Sequence, residues 1–263
     1  MYRRPQHERN GAGPAMDTAT DRFERVTGYE RWAPFYDAMR GDQTEPISYV
    51  RGLIEKHHHA AKTLLELGCG TGSVLEQLQS RYAVTGVDLS EQMLRIARKR
   101  LPGVRLLRRD VTSAELGETF DVVLCVADVV NHLRPFRKWE ALFARGHRHL
   151  AAGGIFVFDM NTEPHLSELA AQPPVTAWSP QGDFTMLDVV EAAGAGVEIE
   201  VTVFEHRRDG GYRLHTARVP EISYPAERVT GSLRARFRRV RVYDENRSRP
   251  SRLSERLYYV CTR

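Results

Sequence analysis

The chain has 263 residues, 41% of them hydrophobic and 27% charged, with a formal net charge of +4. That size suits one large α/β domain, or one domain with a small insertion, and the apolar fraction excludes a disordered or fibrous chain. No apolar run is long enough to cross a bilayer and the start shows no secretory pattern, so no membrane partner and a cytoplasmic location are expected. Cys69, Cys125 and Cys261 form neither a paired framework nor a zinc spacing. The basic excess lies in the arginine-rich C-terminal stretch. Such a surface can attract nucleic acid or an anionic small molecule, or can simply be solvated.

Residues 1–20 are polar and lack periodicity, which predicts disorder, and Met16 is an alternative start. Residues 22–56 read as one or two helices. Tyr29, Trp32, Phe35 and Tyr36 cluster first, and Ile47, Val50, Leu53 and Ile54 follow at helical spacing. His57, His58 and His59 come next. Adjacent histidines point in different directions on a helix, so they read as an exposed helix end rather than a metal site.

Residues 61–90 carry the main signal. A short apolar strand, Thr63 to Leu67, runs into Gly68, Gly70 and Gly72. A helix with Val74, Leu75 and Leu78 on one face follows, and a second strand, Ala83 to Val87, ends on Asp88. Strand, glycine loop, helix, strand and acid make a nucleotide-binding half-unit. The loop must turn sharply, its backbone must approach a ligand closely, and a carboxylate at the second strand end can accept ribose hydroxyls.

Ser90 then caps a helix with Met93, Leu94 and Ala97 on one face, closed by Pro102-Gly103. A strand, Val104 to Leu107, leads to Asp110-Val111. The nearly continuous apolar run Phe120 to Cys125 predicts a buried parallel strand that opens into a loop from Val126 to Leu133. In open α/β sheets ligands bind at the carboxyl ends of strands, so this loop should line the site. A helix with Trp139, Leu142, Phe143 and Leu150 inward follows. Gly153-Gly154 then turns into a fifth strand, Ile155 to Asp159, with Asn161 beyond it. Between Val175 and Ser223 lies material the core does not need, which alternates in β fashion over Phe184 to Val190, Val197 to Phe204 and Tyr212 to Ile222, with a hairpin at Arg208-Asp209-Gly210-Gly211. Ala226 to Leu233 reads as a closing helix, and Phe237 to Tyr243 and Arg256 to Val260 as the last two strands.

Glu66 followed by Gly68-Cys69-Gly70-Thr71-Gly72 resembles motif I of class I S-adenosylmethionine (SAM)-dependent methyltransferases. Dinucleotide enzymes usually carry Gly-x-Gly-x-x-Gly with no acid just before it. His149-Leu150 through Gly153-Gly154 to Phe156-Val157-Phe158 and the Phe35-Tyr36-Asp37 stretch resemble further elements of that family. The resemblance implies an α/β fold, a Rossmann-like seven-stranded sheet with helices on both faces, plus an antiparallel β insertion roofing the site. The expected division is a tail over 1–20, a SAM-binding core with lid helices over 21–174, an insertion over 175–224, and closing elements over 225–263. An insertion there is similar to small-molecule N- and O-methyltransferases, including those acting on nucleotide-linked amino-deoxysugars.

By this resemblance the cofactor set is Tyr36, Glu66, Gly68, Cys69, Gly70, Asp88, Leu89, Met93, Asp110, Val111 and Cys125. Asp88 would hold the ribose, Met93 would pack on the adenine, and Asp110 would take a hydrogen bond from its amino group. Tyr36 would shut the lid over the methionine end, with catalytic consequence. Met93 and the aromatics also fit plain core. His132, the one neutral-pH base on the loop after the fourth strand, is a candidate general base or orienting group; capping the next helix is its other reading. Asp128, Asp159 and Asn161 sit at places resembling the ligands of metal-dependent catechol-type O-methyltransferases, with altered spacing, and the preferred reading has no metal. The expected partner is a small molecule bearing an amine or hydroxyl. The loop after the fourth strand has no Asn/Asp-Pro-Pro-aromatic run and the chain has no Pro-Cys pair, which argues against nucleic acid as substrate. RNA or protein methylation, a non-catalytic SAM-binding scaffold and a dehydrogenase are the competing readings. The sequence leaves monomer and homodimer open.

Overall fold

A computed structural model of the chain describes residues 28–192 and 196–263. The tail expected to be disordered, Met16 included, lies outside the described residues. Two helices come first, α1 (Gly28–Arg40) and α2 (Thr44–His58). The alternating core follows as β1 (Thr63–Leu67), α3 (Ser73–Leu78), β2 (Ala83–Asp88), α4 (Glu91–Arg100), β3 (Arg105–Arg108), β4 (Phe120–Cys125), α5 (Phe136–Arg148) and β5 (Leu150–Asn161). Next come α6 (Glu163–Ala171) and four strands, β6 (Val175–Trp178), β7 (Phe184–Ala192), β8 (Gly196–His206) and β9 (Tyr212–Ile222). Helix α7 (Ala226–Arg234) and strands β10 (Arg239–Tyr243) and β11 (Arg256–Thr262) close the chain.

The first sheet has seven strands in the order β10-β11-β5-β4-β1-β2-β3, and the second has four in the order β6-β7-β8-β9. In the large sheet only β11 runs against its neighbours. The chain leaves β1 first for β2 on one side and later for β4 on the other. The crevice between β1 and β4 is therefore a topological switch point, where open α/β sheets bind ligands. β1 and β4 are apolar runs because both faces of a central parallel strand are covered. On one face Ile47, Ile54, Leu75 and Leu94 of α2, α3 and α4 pack together. On the other, Trp139 and Phe143 of α5 meet Val229 and Leu233 of α7. Phe143 is fully buried, so truncation to alanine should cost about 3–5 kcal/mol.

The expected α/β class, seven-stranded sheet and antiparallel insertion are all present. Differences in detail have local causes. Helix α6 was not anticipated, although Thr162 caps it by accepting from His165 N at 3.4 Å and Pro164 stands in its first turn. Strand β6 was also missed, being four residues long and mostly exposed. The Gly153-Gly154 turn lies inside one long strand. Pairing steps from Phe120–Leu150 to Val122–Ile155, so the glycines form an irregularity there. Phe237, expected to open β10, is instead a buried core residue before it. His57 meets the Tyr243 hydroxyl at 2.7 Å, while His59 is exposed.

The small sheet is a roof. Its inner face buries Val201 and Val203 against Trp32 of α1, with Tyr29, Phe35 and Tyr36 packed around them. On its outer face Trp178, Phe184, Phe204 and Leu214 stand in register across all four strands.

Candidate active site

A cavity of about 450 Å³ opens at the carboxyl ends of β1, β2 and β4, beneath α1 and one end of β9. Of the residues singled out from the sequence, Tyr36, Glu66, Gly68, Cys69, Gly70, Asp88, Leu89, Met93, Asp110, Val111 and His132 line it. Cys125 does not. It is the last residue of β4, fully buried in the core cluster that includes Trp139 and Phe143, and burial pushes its thiol pKa well up. The expectation that it touches a cofactor is corrected accordingly.

One wall of the cavity is built locally. Gly68 has φ +87°, and a Cβ there would lie 2.6 Å from Val129 Cγ2, so the loop after β4 packs directly on the glycine loop. Gly70 has φ +51° with nothing within 4 Å of its missing Cβ, which leaves open space for a ligand. Asp88 Oδ2 accepts from Gly70 N at 2.8 Å and Oδ1 from Ser90 N at 2.8 Å, so the acid shapes the loop with one bond to each oxygen. An ionised carboxylate has about four acceptor sites, which leaves room for hydroxyl donors. Asp110 Oδ1 takes the backbone and hydroxyl of Thr112 at 2.8 and 2.7 Å. Met93 is 2% exposed and forms part of the floor. Glu66 is 1% exposed and its Oε2 has no hydrogen-bond partner. Burial, and then the Asp88 charge, push its pKa up to about 8.

Another part of the lining is assembled from distant segments. Tyr29 Oη lies 2.9 Å from His132 Nε2, and His132 Nδ1 lies 3.1 Å from the Pro220 carbonyl oxygen. A carbonyl can only accept, so Nδ1 carries the proton. Nε2 then presents its lone pair to the Tyr29 hydroxyl, which donates. Burial raises the Tyr29 pKa well above the usual phenol value. Tyr36 sits edge-on to Trp32, ring centres 5.1 Å apart, and burial raises its pKa too. Arg40, Lys138 and Arg218 add positive groups to the lining.

Between β4 and α5 the loop is unusual. Ala127 and Asp128 both adopt left-handed backbone, φ 64° and 68°, which costs on the order of 1–3 kcal/mol for such residues. A 3-10 turn, Val129–His132, follows. Asn131 ties this turn to both sheets, donating to the carbonyls of Asn161 at 3.1 Å and Ile222 at 3.0 Å. Asp128 Oδ1 lies 2.6 Å from Arg256 Nη1, which also pairs with Asp159. Burial opposes ionisation of Asp128, but Arg256 and then Arg40 hold its pKa low, at about 2.

That network bears on the metal alternative. The Arg256 guanidinium stands between the two carboxylates that would have to ligate, and Asn161 Nδ2 donates to Glu221 Oε2 at 3.2 Å. Among the described residues, no group of His, Cys, Asp and Glu side chains is arranged to hold a metal ion, and Asp128, Asp159 and Asn161 do not line the cavity. Asp128 and Asp159 are thus engaged with Arg256, and Asn161 with Glu221. Tyr29, Arg40, Pro220, Glu221 and Arg256 were not predicted as site residues. Their partners lie roughly 60 to 130 positions away in sequence, and only the aromatic cluster around Tyr29 gave any local signal.

Comparison with known proteins agrees with this geometry. A methyltransferase domain model matches residues 64–154, from β1 into β5. A dTDP-4-amino-2,3,4,6-tetradeoxy-D-glucose N,N-dimethyltransferase of Saccharopolyspora spinosa is 35% identical over 132 residues. The match spans 48% of this chain and about half, 53%, of that enzyme. Among solved structures, a SAM-dependent methyltransferase from Clostridium acetobutylicum superposes with a TM-score of 0.75 at 19% identity, covering 93% of this chain and 99% of that one. A sugar N-methyltransferase from Streptoalloteichus sp. does so with a TM-score of 0.74 at 20% identity, covering 99% and 100%. Fold and glycine-loop site thus define the class I methyltransferase architecture. The chain carries a methyltransferase domain on the fold of SAM-dependent methyltransferases. The residues present fit such a donor: the unpartnered Glu66 oxygen suits its cationic groups, and Asp88, Met93 and Asp110 surround open space beside Gly70.

Proposed function

We propose that the chain methylates the amino group of a small polar acceptor, with a nucleotide-linked amino-deoxysugar as the best candidate. The observation that carries this is the Tyr29–His132 pair, which lies beneath a separate roof and lines the same cavity as the glycine loop. The amino-sugar choice is supported by the Saccharopolyspora spinosa relative, and a phosphate-bearing acceptor by the positive lining of Arg40, Lys138 and Arg218.

SAM supplies an electrophilic methyl group on a sulfonium. Asp88 would hold the ribose, Leu89, Met93 and Val111 would enclose the adenine, and Asp110 would accept from its amino group. Glu66 would face the cationic methionine end. Gly68, Cys69 and Gly70 would line the chain between them. Tyr36, with Trp32 and the roof behind it, would exclude water and keep the acceptor on axis. Alignment of that kind can contribute several kcal/mol, up to roughly 7–11 in ideal cases.

As the acceptor nitrogen gains a methyl, it must lose a proton. Tyr29 Oη can take that proton while its own passes to His132 Nε2, so the phenol leaves and re-enters the cycle neutral. Three free cysteines suit a reducing compartment, in keeping with a cytoplasmic enzyme. The test is incubation with labelled SAM and a panel of nucleoside-diphosphate amino-deoxysugars, hydroxyl-only sugars and RNA. Label in the amino-sugars, with products heavier by one or two methylene units, is expected. Label only in RNA or in hydroxyl-only sugars would defeat the proposal.

A further inference from the structure

The Tyr29–His132 pair joins two elements that share one anchor. His132 ends the 3-10 turn that begins just after Asp128. Tyr29 opens α1, and Arg40 in the last turn of that helix places Nη1 3.3 Å from Asp128 Oδ2. Asp128 is held from behind by Arg256 at 2.6 Å, and its own N–H donates to Asp159 Oδ1 at 3.2 Å. The Asp128 side chain is only 10% exposed, and its backbone is in the left-handed region. We propose that Asp128 is the joint between lid and reaction loop: Arg256 fixes it to the sheet, Arg40 docks α1 onto it, and the three are positioning residues that set the Tyr29–His132 distance.

One turn before Arg40, on the same face, α1 is latched independently. Asp37 accepts from Thr71 Oγ1 at 2.7 Å and from Arg100 Nη2 at 2.7 Å, which ties the helix to the glycine loop. Cutting the Asp128 joint should therefore loosen α1 without releasing it. Two carboxylates and two guanidiniums make the cluster neutral overall. Removing one charge leaves a buried partner uncompensated, which gives the joint its leverage.

The inference rests on the methyl-transfer reading for its effect on turnover, but its first test needs neither donor nor acceptor. Amide hydrogen exchange is compared in wild type, Asp128→Asn, Arg40→Met and the double variant. Exchange across α1 should quicken about tenfold in each single variant and no further in the double, while β4, β5 and α5 stay protected. Arg40→Lys, which keeps the charge, should restore most of the protection. With methyl transfer assayed, kcat should fall about tenfold in each single variant, with KM for SAM within about twofold. Unchanged α1 exchange in both variants, or effects that multiply in the double, would overturn the joint. Should Asp128→Asn fail to fold, Arg40→Met and its lysine rescue decide alone. Absence of any methyl transfer in the wild type would sink the catalytic reading and leave the exchange result standing.

Discussion

The two walls of the cavity are made differently. Most of the donor wall is one run of chain, from Glu66 to Met93, with Asp88 reaching back 18 residues to Gly70, and Tyr36, Asp110 and Val111 complete it. The acceptor wall is a meeting of strangers: Tyr29 and His132 are 103 positions apart, and His132 and Pro220 are 88 apart. A local wall can be specified by spacing alone. A composite wall exists only once the roof has closed, so its geometry depends on packing between α1, β8 and β9. The difference teaches that donor binding and acceptor chemistry should be separable by mutation.

The strongest way to break that separation is at Asp88. Asp88→Ala leaves the Gly70 and Ser90 amides unpaired and removes the ribose partner. We expect about a hundredfold loss of S-adenosylhomocysteine affinity by calorimetry. Near-normal affinity would show that the donor wall does not work as read. Next comes Tyr29→Phe, which removes the hydroxyl that donates to His132. Turnover should drop by about tenfold or more, with S-adenosylhomocysteine affinity within about twofold. A matching loss of affinity would mean the walls are coupled.

Smaller still is a pH effect at Glu66, whose pKa stands near 8 in the folded state against an ordinary value of 4.5. Between those values the native state keeps a proton that the unfolded chain has released. Stability of the ligand-free protein should therefore fall as pH rises through that window and level off above about 8. Glu66→Gln should flatten the fall, read from thermal melts across the window. The least effect is expected on the roof's outer face. Leu214, 57% exposed, can become threonine with less than about 0.5 kcal/mol lost in urea melts and no change in kcat.

Legibility followed the same divide. Thr63 to Asp88 announced strand, loop, helix and acid because each element carries its own signal within a few residues: apolar run, glycine spacing, apolar face, terminal carboxylate. Glu66 stood out as an acid in an apolar strand, and the structure shows it buried with an oxygen unpaired. The hairpin turn at Arg208–Gly211 was readable from its glycines, and Arg207 N indeed donates to Gly211 O at 2.9 Å. Cys125 was misplaced because alternation along a strand end cannot say which face meets the cavity. Strand β6 was invisible because Val175 to Trp178, mostly exposed and flanked by one partner, has no period to read. Arg256 looked like one arginine among many in a basic tail. Only the antiparallel pairing of β11 with β5 brings it beside Asp159 and Asp128.

The oxygen that selects the His132 tautomer belongs to the main chain at Pro220, not to a side chain. Any amino acid at that position would offer the same carbonyl. The covering sheet can thus exchange its inward-facing groups, and with them the shape offered to an acceptor, while the imidazole keeps its lone pair aimed at the phenol. A scaffold wired in this manner can be retuned toward new acceptors by altering the cover alone, without rebuilding its acid–base chemistry.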